Sequence, residues 1–197
     1  MYRRDPGCVD DVDVSRPGPF AAFPARFAGL DRRIDGWWDH LRGNPTVDRL
    51  FYTASEVGDF GVLWLAIGAT AAAISPQREA VRFARLAGAL AAESIIVNGG
   101  LKSLFRRDRP DWEQDRPHAL RKPRTSSFPS GHASSAVTAA LLLSEGDSQW
   151  APVYWVLAAV VATSRVHVKI HHGSDVAGGL IVGAAIGTLV RRLIPLT

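Results

Sequence analysis

The chain has 197 residues, a formal net charge of +4, a pI near 9.7 and 47% hydrophobic residues. That length fits one domain with a flexible arm. The single cysteine, Cys8, excludes an internal disulfide and any cysteine-based metal site, and Met1 to Asp13 lacks the apolar core of a signal peptide.

A mean hydropathy of +0.02 suggests solubility, but it averages polar stretches (1–56 and 102–128) with long apolar runs. Residues 1–29 are rich in Pro, Gly, Arg and Asp without periodicity, which predicts a disordered arm ending in an aromatic patch at Phe20, Phe23 and Phe27. From Leu30 the pattern changes. Leu30, Ile34, Trp37, Trp38 and Leu41 fall on one helical face, and Asp31, Arg32, Arg33, Asp35, Asp39 and Arg42 on the other. This predicts an amphipathic helix closed by Gly43-Asn44-Pro45, suited to the lipid headgroup region, with a connector to about residue 56.

Five apolar runs follow: Phe60 to Ile74, Phe83 to Leu101, His132 to Leu143, Trp150 to Thr163 and Val176 to Ile194. Several fall short of the ~20 residues of a bilayer crossing. In series, with short polar turns, they still predict an all-α, multi-pass transmembrane bundle of five or six spans over residues 57–197. The bilayer and a membrane lipid are the expected partners, and no nucleic acid is. Gly179, Gly183 and Gly187 recur every four residues on the last helix, a stripe that packs inside the bundle or offers a face for a homodimer. Glu93, an acid within the second run, lies nine residues and about 13 Å along a helix before Lys102, and a packing or network role is expected for it.

With five spans, the loops 102–130 and 164–175 emerge on one side. Their polar residues can then converge. The first supplies Lys102 and Arg109-Pro110; the second supplies Ser164-Arg165, His171 and Asp175; Pro129-Ser130-Gly131-His132 opens a helix between them. A helix N-terminus presents unpaired N–H groups and partial positive charge to an anion. Three cations beside it would neutralise a phosphoryl group in flight without a metal. Two histidines supply a nucleophile and a proton donor, and a carboxylate four residues after one of them can orient its ring. His167, His171 and Asp175 also carry a helical metal-ligand spacing, which Gly173 weakens, and no metal or cofactor is expected. Arg106, Arg107, Arg116, Arg121, Lys122 and Arg124 suggest a clamp for an anionic headgroup, while His118 and His172 read as solvated loop residues.

The three segments together resemble the type 2 phosphatidic acid phosphatase (PAP2) family, whose signatures read K-x6-RP, PSGH and SR-x5-H-x3-D. Here they stand as Lys102-x6-Arg109-Pro110, Pro129-Ser130-Gly131-His132 and Ser164-Arg165-x5-His171-x3-Asp175. The resemblance covers about residues 50–194. It implies that His171 attacks phosphorus to form a phosphohistidine, that Asp175 orients it, and that His132 protonates the leaving oxygen and then activates water. Lys102, Arg109, Ser130, Gly131 and Arg165 would bind the phosphate. Many members carry proline at the position of Gly173, so glycine there would loosen the turn. The implied activity is dephosphorylation of a membrane lipid, with a polyprenyl-linked cell-wall precursor ahead of phosphatidic acid or phosphatidylglycerol phosphate. A vanadate-dependent haloperoxidase-like enzyme and a non-catalytic binder of anionic lipid are the alternatives. Eighteen of the 23 Lys and Arg fall on the side of the N-terminus and these loops, against five (Arg78, Arg82, Arg85, Arg191, Arg192) opposite. The positive-inside rule then favours a cytoplasmic site.

Overall fold

The computed structural model describes residues 20, 22, 26–111, 118, 120, 123 and 125–196. Most of the expected arm, including Phe23, and the loop residues Arg116, Arg121, Lys122 and Arg124 lie outside them. The elements among the described residues are helices: α1 (Ala28–Asp39), α2 (Pro45–Val57), α3 (Val62–Ile74), α4 (Pro76–Ser94), a π-helical stretch (Ile95–Leu101), the single turn α5 (Lys102–Phe105), α6 (Gly131–Gly146), α7 (Ala151–His167) and α8 (Gly173–Leu193). Among the described residues there is no strand.

The boundaries follow local chemistry. Asn44 Oδ1 accepts from the N–H groups of Thr46 and Val47, and Pro45 takes the first helical position, so α2 is a capped helix where a connector was expected. Phe60 and Gly61 have φ of 54° and 70°, and this break turns α3 away from α2 by 63°. Ser75-Pro76 closes the α3–α4 hairpin. Ser130 caps α6, its Oγ accepting from Ala133 N at 3.4 Å. By length and composition, α8 alone among the described helices can cross a membrane unaided; α2 and α3 pass that test only as a bent pair.

α6 is the central helix, packed by α8, α7 and α4. Its Ala133, Ala136, Ala139 and Ala140 are wholly buried, so neighbouring backbones approach closely. The Gly179-Gly183-Gly187 stripe meets them. A Cβ at Gly179 or Gly183 would collide with the carbonyl oxygens of Ser130 and Ser134, and one at Gly187 would lie 2.8 Å from Leu141 Cδ1. Thr138 Oγ1 donates to Gly183 O at 3.1 Å across the same seam. The stripe is thus filled by α6 of the same chain, which removes it as a homodimer face. Around this seam, Trp64, Leu86, Leu90 and Val161 complete the larger apolar core. Arg85 is neutralised inside the bundle by Glu145 at 2.8 Å.

α1 and α2 pack on the end of the bundle that carries the motifs. Ile34, Trp38 and Leu41 join Ala162, Val166 and Val176 in a second core. Arg42 donates to the carbonyls of Val166 and His167 at 2.7 and 2.9 Å, placing a cation on the C-terminus of α7. Asp48 accepts from Gly43 N and pairs with the buried His167 at 2.8 Å. The apolar face of α1 divides between Ile34, Trp38 and Leu41, which pack on the bundle, and Trp37 and Leu30, which are 61% and 53% exposed; Asp31, expected on the polar face, is 4% exposed.

Candidate functional site

The three signatures meet at one end of α6. The backbone joins two of them directly, since Ser130 N donates to Asp175 O at 2.9 Å. α7 ends in a turn with Lys169 at φ 49°, and Arg165 O accepts from both Ile170 N (3.1 Å) and His171 N (3.0 Å). That turn folds His171 back over Arg165.

Each predicted residue has a defined setting. Arg109 Nη1 donates to Ile170 O at 2.9 Å and lies 3.3 Å from His171 Nε2, while Nη2 reaches Thr125 O and Ser126 O. A guanidinium offers only donors, so His171 Nε2 presents its lone pair toward Arg109 and the ring proton is assigned to Nδ1. Nδ1 faces Asp175 Oδ2 at 3.6 Å, an electrostatic contact longer than a hydrogen bond. Asp175 is completely buried. Its Oδ1 accepts from Arg107 Nη1 at 2.6 Å; its Oδ2 accepts from Ser127 Oγ and from His172 N at 2.8 Å. Lys102 Nζ donates to Asn98 Oδ1 at 2.6 Å. Both groups border Gly131, where a Cβ would lie 3.4 Å from Asn98 Oδ1 and 3.9 Å from Lys102 Nζ. Arg165 is buried and donates to Ser55 Oγ. His132 Nε2 lies 3.0 Å from Asp59 Oδ1 and 3.2 Å from Ser55 O.

The electrostatics follow from this crowding. Burial, reinforced by Arg109 and Arg165, lowers the Lys102 ammonium to about 8; Glu93 and Asp175 oppose the shift. Glu93 is buried. Burial likewise holds His171 well below the ordinary histidine value, with Arg109 and Arg165 adding to it and Asp175 opposing. His171 is therefore neutral near pH 7, with an unprotonated nitrogen beside Arg109 and in the field of Arg165. Such a cradle suits an anion that is to be attacked at its centre.

Several participants were not singled out by the motifs. Asn98 sits in the π-helical stretch and holds Lys102; Asp59 and Ser55 hold His132; Ser127 and Arg107 hold Asp175. Arg107 is a correction to the headgroup clamp, because it is tied between Asp175 and Asp31 and its side chain is only 11% exposed. His172 is likewise partly buried at the start of α8 rather than solvated. His118 is exposed, its ring edge-on to Tyr52. Ile34 of α1 packs on Gly173 so closely that a Cβ there would lie 2.6 Å from Ile34 Cδ1. His167 is turned to Asp48 and away from the His171–Asp175 pair in its bonding. Among the described residues no cluster of His, Cys, Asp and Glu could hold a metal.

The chain is similar to known proteins in sequence and in fold. The model of the PAP2 superfamily matches residues 82–196. The decaprenylphosphoryl-5-phosphoribose phosphatase of Mycobacterium tuberculosis is 36% identical over 136 residues, which cover 69% of this chain and 74% of that one. A putative undecaprenyl-diphosphatase of Escherichia coli is 37% identical over 134 residues, 68% of this chain and 63% of that one. The fold is that of a transmembrane PAP2-type phosphatidylglycerolphosphate phosphatase from Bacillus subtilis, with a TM-score of 0.63 at 20% identity over 89% of this chain and 94% of that one. From the family match and these relatives, the chain belongs to the PAP2 superfamily, as a membrane enzyme of its phosphatase branch.

Proposed function

We propose that this chain hydrolyses a phosphomonoester on a polyprenyl-linked membrane lipid, without a metal, through a phosphohistidine on His171. One observation carries the mechanism: His171 Nε2 lies 3.3 Å from Arg109 Nη1 and its Nδ1 faces the buried Asp175, at the end of α6 where Lys102 borders Gly131. The names of the mycobacterial and enterobacterial relatives support polyprenyl-linked lipids as the substrate class.

In the first step the Nε2 lone pair forms the N–P bond as the P–O ester bond breaks, and the leaving oxygen takes a proton from His132. Asp175 stabilises the charge that develops on the imidazole, held at Nδ1. Lys102, Arg109, Arg165, Ser130 and the Gly131 N–H bind the non-bridging oxygens. In the second step water gives its proton to His132 and attacks phosphorus, and the N–P bond breaks. Asp59 Oδ1, 3.0 Å from His132 Nε2, orients that ring toward its task.

The test is phosphate release by detergent-purified protein in EDTA, from polyprenyl phosphoribose 5-phosphate, polyprenyl diphosphate, phosphatidic acid and phosphatidylglycerol phosphate, beside His171→Ala. Release that His171→Ala abolishes, fastest from the polyprenyl lipids, is expected. Release only with added metal, or preference for the glycerolipids, would contradict the mechanism or the substrate class respectively. The charge count supports a cytoplasmic site. A cysteine placed at Arg121 in a Cys8→Ser background would then resist an impermeant reagent on intact cells, and labelling there would overturn the assignment.

A further inference from the structure

We infer that Asp31, on α1 and outside all three signatures, is a positioning residue for the His171 nucleophile, acting through Arg107 and Asp175; the inference rests on the phosphatase reading above. Arg107 is a bridge between two carboxylates. Its Nη2 donates to Asp31 Oδ2 at 2.7 Å, and its Nη1 donates to Asp175 Oδ1 at 2.6 Å and to Ser174 Oγ at 2.7 Å. Asp31 also grips the start of α8 directly, accepting from Ser174 N and Ser174 Oγ, each at 2.8 Å. The N-terminal N–H that α8 cannot satisfy internally is thus capped from another helix. Asp175 is the next residue.

Two consequences follow for His171. Asp31 and Arg107 fix the first turn of α8, and with it the Asp175 carboxylate, whose other oxygen takes Ser127 Oγ and His172 N and faces His171 Nδ1. Asp31 also sets the charge balance. Arg107 with Asp175 alone would neutralise the carboxylate that must stabilise a developing imidazolium; a second carboxylate on the same guanidinium restores a net negative charge there. Burial strengthens both effects, since Asp31 and Asp175 are sealed from water. α1 is held in place by Ile34, which fills the space over Gly173 where a Cβ has no room. The helix that resembles a membrane anchor by its tryptophans is therefore wired into the nucleophile's carboxylate.

Asp31→Asn keeps an acceptor for Ser174 N and removes the charge. With wild-type protein active on the polyprenyl lipid, Asp31→Asn, assayed well below its unfolding midpoint, is expected to lower kcat about tenfold with KM within about twofold; the midpoint itself should fall, because Arg107 Nη2 loses a buried charged partner. In an Asp175→Asn background, measured by single turnover, the same change should cost little more, because its route to His171 is already cut. Arg107→Lys, which keeps one charge but cannot bridge two carboxylates, should show the same split, and it serves if Asp31→Asn does not fold. Wild-type kcat in both variants, a loss confined to KM, or full additivity with Asp175→Asn would overturn the inference and leave the phosphatase reading intact. A wild-type protein that releases phosphate from no lipid would overturn the reading itself, and the inference with it.

Discussion

Lys102 gives the sharpest prediction, because burial and its cationic neighbours bring its titration to about 8. An amine is charged below its pKa, so the phosphate ligand is present at pH 7 and lost as pH rises through 8. The pH dependence of kcat/KM reports the free enzyme. It should therefore hold level to about pH 7.5 and then fall roughly tenfold per unit, to about a tenth at pH 9. Lys102→Arg supplies a cation that does not titrate in this range. It should lower the plateau by misfitting the Asn98 contact and straighten the profile to pH 9.5. His171, held well below the ordinary histidine range by burial, stays unprotonated through that range, so the acid limb in this window belongs to the phosphate substrate, whose second ionisation lies near ~6. The assay is initial-rate phosphate release in detergent from pH 5.5 to 9.5 at constant ionic strength. A profile flat to pH 9.5 in the wild type, or an alkaline limb that survives Lys102→Arg, would refute the assignment.

Three packing predictions follow from the same contacts, each read by thermal unfolding in detergent. Gly183→Ala drives a methyl into Ser134 O and should destabilise by about 1–3 kcal/mol, whereas Gly88→Ala, with open space around it, should be neutral or stabilise by up to about 1 kcal/mol. Gly173→Ala should cost about 1–3 kcal/mol by pushing on Ile34, and Ile34→Ala in the same chain should recover most of the loss; two independent, additive losses would refute the contact. Asp48→Ala leaves the buried His167 Nε2 without its partner and should cost about 1–3 kcal/mol, with kcat changed much less than by Asp31→Asn. For the site, Asn98→Leu frees Lys102 Nζ and should raise KM about threefold to tenfold with kcat nearly unchanged. An unchanged KM would show that Asn98 does not hold the ligand.

The helices were legible because the apolar runs are punctuated by Ser75-Pro76, Gly146-Asp147 and Gly173, and the observed helices begin or end there. The residues now around His171 were nominated by side-chain type and spacing, which survive in one dimension. What sequence could not carry were pairings across distance. Asp31 sits four residues before Asp35 on a helix whose charges all read as solvent-facing, yet it is buried because Arg107, 76 positions away, meets it. Arg107 was lost among the charges of its loop for the same reason. A buried ion pair has no periodicity. Asn98 had a fainter local signal: Asn98-Gly99-Gly100 in an apolar run marks a weak point, and the π-helical stretch lies over it. On α1, Leu30 and Trp37 stay outward, where a headgroup-region helix would hold them, while Ile34 and Trp38 are taken up by the bundle. Gly173 could not be judged without Ile34 beside it.

The central claim is that phosphorus passes through a covalent bond to His171, and the stereochemistry at phosphorus tests it most directly. The substrate would be a polyprenyl-linked phosphomonoester chirally labelled with oxygen isotopes, turned over by the purified enzyme in EDTA with an alcohol as acceptor. Two successive in-line displacements, first by His171 Nε2 and then by the acceptor, predict overall retention of configuration. Inversion would mean a single direct displacement, and would contradict the phosphohistidine account.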